Sequence, residues 1–162
     1  MKWPSIALAA EFLLLCGCGS DLAPPNVMTA GGEVVPFEQV ASATLSPVDS
    51  ASYRVILDEE SWAAAWSQLV AGHVPPNPAL PSIDFKSRIV VLVAAGELPT
   101  QLRSFGVDEI RLSDGVFHVT VREDWPAAQC GSLPVVTHPV NVVSVPRLST
   151  RADFAQRRTS SC

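Results

Sequence analysis

The run "IVVLVAA", residues 89–95, places seven apolar side chains in succession, four of them β-branched. A strand with one face in water alternates polar and apolar positions, whereas an unbroken run of this length marks a strand buried on both faces. It predicts a central strand in a layered domain, with something packed against each side of its sheet.

Upstream, the period changes. "DEESWAAAWSQL", residues 58–69, predicts one amphipathic helix. Asp58 suits the N-cap, and Glu59 and Glu60 fall where the helix dipole favours negative charge. Trp62, Trp66 and Leu69 follow at spacings of four and three, so they share a face, and Gly72 stops the helix. That face can cover one side of the buried strand, with the tryptophans as core side chains. Between helix and strand, "HVPPNPALPSIDF" (residues 73–85) carries four prolines and reads as a rigid, extended connection.

The remaining elements are short strands. Residues 34–45 contain one, with Pro36 forcing an irregular start. Tyr53, Val55 and Leu57 alternate with Arg54 and Ile56 in a second. Residues 107–112 and 116–121 flank Ser113-Asp114-Gly115, a three-residue hairpin loop with Gly available for its left-handed position. Phe117, Val119 and Val121 point one way from that hairpin, His118 and Thr120 the other. Residues 135–136 and 140–145 supply further strands, stopped by Pro146. The fold class is α+β: a mostly antiparallel β-sheet with one amphipathic helix packed on it.

The amino terminus is of another kind. Met1-Lys2 is followed by a short apolar stretch, broken by Glu11, that ends in Leu15-Cys16-Gly17-Cys18. It falls short of the roughly 20 apolar residues a spanning helix needs and reads as a cleavable export signal. Leu three before Cys18 and Gly immediately before it resemble the lipobox of bacterial lipoproteins. The resemblance implies cleavage after Gly17 and lipid on Cys18, where two or more acyl chains hold a protein stably at a membrane. An ordinary secretion signal beside an incidental Cys is the alternative. Residues 1–17 thus read as a signal peptide, 18–33 as a Gly- and Pro-rich membrane tether, 34–147 as the folded domain and 148–162 as a basic tail. As a flexible coil the tether spans about 20 Å. Gly19 follows the modified Cys in place of the Asp that commonly retains lipoproteins at the inner membrane. In a Gram-negative host the address would be the outer membrane.

Composition limits the partners. The net charge is −5, and removing residues 1–17 leaves it unchanged because Lys2 and Glu11 cancel. An acidic chain is a poor ligand for nucleic acid, whose binding rests on basic patches. Arg147, Arg151, Arg157 and Arg158 fall in the last sixteen residues against Asp153 alone, which reads as a solvated basic end. With Cys18 consumed by lipid, Cys130 and Cys162 remain as an even pair in an oxidising compartment. That favours a disulfide between them; two free thiols are the other reading.

No catalytic constellation emerges. His73, His118 and His138 share no metal-ligand spacing, and no metal or cofactor is expected. "CGSLP" around Ser132 lacks the G-x-S-x-G nucleophile elbow. The pairs Asp108-Glu109 and Glu123-Asp124 sit near strand ends, where solvation explains them. The chain does not read as an enzyme.

The order of the pieces is similar to the family built around the C-terminal domain of PrcB, a protease-complex subunit. Carrying the resemblance are Trp62 and Trp66, then Pro81, Asp84 and Phe85 before the apolar strand, then Gly96 with Pro99 and Thr100. Thr137 with Pro139 and the pair Pro146-Arg147 complete it. In place of the Gly-Gly-Tyr usual in relatives, this chain has Phe105 without the two preceding glycines. The resemblance spans roughly residues 35–147. It implies a binding or stabilising module of the cell envelope whose partner is an envelope protein, a subtilisin-like surface protease in the named member. A small envelope hydrolase or ligand-binding domain is the alternative. Residues 97–106 read as a variable loop leading into an exposed hairpin, with Arg103 and Phe105 as candidate partner contacts, since Arg and aromatic residues are enriched at binding hot spots.

Overall fold

The computed structural model of the chain describes residues 31–72, 78–131 and 134–162. Cys18, the signal segment and nearly all of the tether lie outside these residues, as do His73 and Ser132. Along the chain run β1 (Glu33–Val34), β2 (Glu38–Ala43), β3 (Ser52–Ile56), α1 (Glu59–Leu69), β4 (Arg88–Ala94), β5 (Ser104–Ser113), β6 (Val116–Pro126), β7 (Val140–Pro146) and β8 (Ala152–Ser161). The fold is α+β: mostly antiparallel sheet with a single short helix.

The strands divide between two four-stranded sheets, ordered β1-β5-β6-β8 and β2-β7-β4-β3. All pairings are antiparallel except β6 with β8. The apolar run explains the layering. On β4, Val90, Leu92 and Ala94 face α1 together with Val140 and Val142 of β7 and Ile56 of β3. Ile89, Val91 and Val93 face the other way, and with Val143 and Val145 they meet Ile110, Phe117, Val119 and Val121 of the second sheet. Alternate side chains of one strand thus enter two different cores, as the period of two requires. The second cover of the central strand is therefore the hairpin sheet itself.

The helix begins and packs as its sequence predicts. The Asp58 carboxylate accepts from the Ser61 N–H at 2.8 Å and from the Ser61 hydroxyl at 3.0 Å. Trp62 is 1 % exposed, and its indole donates to the Pro81 carbonyl at 2.9 Å. Trp66, half-buried, donates to the Pro78 carbonyl at 3.1 Å. The Pro-rich connection is thus fastened to the helix by the two indoles.

Hydrogen bonds from Ser61 hold the Asp58 carboxyl below its ordinary range, and those from Ser87 and the Lys86 N–H do the same for Asp84. A lowered folded value contributes stability that is present above the unfolded value near about pH 4 and is lost as pH falls through the folded one. Urea unfolding followed downward from about pH 5 should show stability falling below about pH 4. Asp58→Asn with Asp84→Asn should flatten that fall; an unchanged slope would exclude these caps as its source.

Three sequence expectations change. Residues 152–161, read as a solvated tail, form β8 and lie along β6 from Phe117 opposite Ala152 to Pro126 opposite Ser161. Residues 104–106, read as loop, open β5. Residues 135–136 form no strand; beside them lies one isolated bridge, Leu98 with Thr137.

Candidate functional site

The two ends of the sandwich differ. The described chain enters at one end, where β1 pairs with Leu112 and Arg111 beside the hairpin turn. The segments 44–51, 95–103, 127–131 and 134–139 gather at the other, together with Cys162. At a rise of about 3.3 Å per residue, the eleven residues of β6 separate the ends by about 35 Å.

Asn141 of β7 joins the two sheets near the loop end. Its side chain is buried, accepts from the Val107 N–H at 3.1 Å and donates to Gln39 at 3.1 Å. Val107 stands at the register shift of β5, so the amide takes up a backbone group that the ladder leaves over. Gly106 makes room for it. Its φ is +156°, and a Cβ there would lie 2.9 Å from Cγ of Asn141.

Arg103 is exposed at this end. Its N–H donates to the Asp124 carbonyl at 2.8 Å, and its Nε to the Ser161 carbonyl at 2.9 Å. Asp124 in turn accepts from the hydroxyls of Thr159 and Ser161, at 3.1 and 2.6 Å. Phe105 is placed differently: it is half-buried and packs against the core between the sheets. The two candidate contacts therefore do not form one exposed pair. Arg103 and Phe105 do line a hollow of about 270 Å³, with Thr44, Gln101 and Pro139 among its other walls.

Apolar side chains surround this end. Leu45 is 63 % exposed, Val136 52 % and Val135 39 %. They belong to neighbouring segments, because the His138 N–H donates to the Thr44 carbonyl at 3.1 Å and Thr137 bridges Leu98. Sequence patterning assigned residues 135–136 to a strand and so missed them as surface.

The carboxyl terminus is fastened here as well. Cys130 and Cys162 are paired, with Cα atoms 5.6 Å apart at a sequence separation of 32. A bridge closing a loop of that size contributes about 3–4 kcal/mol in the chain-entropy account. Nearby, Glu123 is 4 % exposed and accepts from Arg158 Nε at 2.9 Å and from the Trp125 indole at 3.2 Å. Arg158 also lies over the Trp125 ring, 5.5 Å from its centre. Tyr53 stacks on Phe154 with ring centres 5.7 Å apart; burial pushes its phenol above the ordinary range, and the bond from Gln156 opposes the shift.

Among the described residues, the polar groups capable of chemistry stay dispersed. His118 stands on β6 between Arg111 and Asp153 in register, while His138 approaches Glu97 at 3.7 Å. Among the described residues, no group of three His, Cys, Asp or Glu side chains is placed to hold a metal ion. Comparison with family models, curated proteins and solved structures finds no match for this chain.

Proposed function

We propose that this protein is a lipid-anchored, protein-binding module of the bacterial cell envelope, acting through the loop end of its sandwich. The observation that carries this is the combination of exposed Leu45, Val135 and Val136 with Arg103 at one end of a rigid two-sheet scaffold. Apolar surface rimmed by polar groups suits a protein partner, and loops held by a rigid frame commonly carry recognition. The chain enters at the opposite end, so a tether fixed to lipid at Cys18 leaves the loop end facing away from the membrane. The sequence resemblance to the PrcB C-terminal-domain family supports a partner among envelope proteins, with a surface protease as the class to test first. Lipid on Cys18 is the membrane contact, and nucleic acid is no part of the reading.

Crosslinking in the native envelope identifies the partner, and variants then locate the surface. Arg103→Ala and Val136→Asp should each weaken capture by about 2 kcal/mol, roughly thirtyfold, with the melting temperature unchanged. Phe105→Ala should instead lower the melting temperature, because its ring lies against the core. Full capture by folded Arg103→Ala and Val136→Asp would remove the loop end as the binding surface.

A further inference from the structure

Each sheet ends in two edge strands, and they are unequally protected. β1 has two residues and β3 five, and β2 is interrupted by a register shift between Gln39 and Ala41. β8 has ten residues, holds one continuous register against β6, and contains neither Pro nor Gly. Short edges, bulges, prolines and edge charges are the usual means of blocking edge-to-edge pairing, and of these β8 has only the charges, Asp153, Arg157 and Arg158.

The backbone along β8 has a definite polarity. The Phe117 N–H donates to the Arg151 carbonyl at 2.9 Å, and the Ala127 N–H to the Ser161 carbonyl at 3.1 Å. Odd-numbered residues therefore turn their backbone groups toward β6. Even-numbered residues from Ala152 to Ser160 turn theirs outward, where no strand among the described residues pairs with them.

We propose that two copies of this chain pair antiparallel through β8, about a two-fold axis at Ala155, joining their hairpin sheets into one. Residues facing each other across a two-fold normal to the sheet lie on the same face, so they are both odd or both even in number. That leaves five central registers to compare. An axis at Asp153 or at Arg157 sets a charge against itself, and one at Phe154 sets Arg151 against Arg157. An axis at Gln156 pairs Asp153 with Thr159 and makes no ion pair. Only the axis at Ala155 sets Asp153 against Arg157, and symmetry does so twice. Directly opposed opposite charges stabilise such pairs, and like charges destabilise them.

The side chains are available. Asp153, Ala155 and Arg157 are exposed on the outward face, and among the described residues Asp153 takes part in no ion pair. Arg157 already pairs with Asp108, so across the axis its guanidinium would lie between two carboxylates. The small side chain of Ala155 allows close approach at the centre. The outward-facing backbone of Ala152, Phe154, Gln156 and Arg158 then forms the hydrogen-bonded pairs, Ala152 with Arg158 and Phe154 with Gln156.

The test uses full-length chain in a non-ionic detergent. In a non-hydrogen-bonded pair, opposed Cα atoms lie about 4.5 Å apart, within reach of a disulfide. Mild oxidation of Ala155→Cys should give a 155–155 crosslink, identified by peptide mapping so that Cys16 and Cys18 do not intervene. Asp153→Cys alone should give less than about a tenth as much, because its copies stand about 13 Å apart along the strands. Mixing Asp153→Cys with Arg157→Cys should give the 153–157 crosslink. In sedimentation, Asp153→Arg should weaken dimerisation about tenfold. A monomeric parent chain, or crosslinking at 155 no stronger than at 153, would overturn the proposal; the second would mean that β8 pairs in another register or with another chain.

Discussion

Trp62→Ala should lower the stability of the domain by about 3–5 kcal/mol, a large share of the roughly 5–15 kcal/mol typical of a whole domain. The indole is 1 % exposed and fills the space between α1 and the outer face of the β2-β7-β4-β3 sheet. Its N–H also holds the Pro81 carbonyl, so truncation opens a cavity and frees the connection that leads into β4. Trp66→Ala should cost much less, because that ring is half-buried and contributes at the margin of the same cluster. Urea unfolding of the two variants checks this. Equal losses would mean that the helix is held by its face as a whole and not by the Trp62 anchor.

Cys18→Ser should move the protein from the membrane fraction to the soluble fraction and abolish its labelling by palmitate. Leu15, Gly17 and Cys18 carry the resemblance to a lipobox. No helix among the described residues is long and apolar enough to cross a bilayer. Stable anchoring by lipid needs two or more chains, and Cys18 is where they would be attached, so losing the thiol removes them together. Membrane fractionation with palmitate uptake by the Cys18→Ser variant would refute the anchor. Cys16→Ser serves as the control and should leave both unchanged.

Much of the frame could be read from local pattern. "IVVLVAA" announced a strand buried on two faces because the side chains of residues 89–94 alternate between two cores. The helix was legible because the Asp58 cap, the acidic first turn and the Trp spacing all point to one element. β8 was not. "ADFAQRRTSS" lies at an edge in solvent, and only Ala152 and Phe154 pack against the core, so burial leaves no alternation to find. Its strand character comes from the ladder with β6, a partner that sequence spacing does not reveal. Arg103 and Phe105 were legible as types but not as positions. Gly106 reads as a loop residue, yet it stands within β5 because the Asn141 amide occupies the place of a side chain. The exposed valines at 135 and 136 were hidden by the opposite error, since β-branched residues suggest a strand even where they only cover a loop.

The pairing of β6 with β8 also governs when the molecule can finish folding. The hairpin sheet lacks β8 until residues 152–161 have been synthesised, and β2 likewise waits for β7 from far along the chain. Contacts between such distant segments form late, because long loops must close before they are rewarded. A nascent chain of this topology stays open while it is being made. The bridge between Cys130 and Cys162 waits on the same strand, since Cys162 follows it directly.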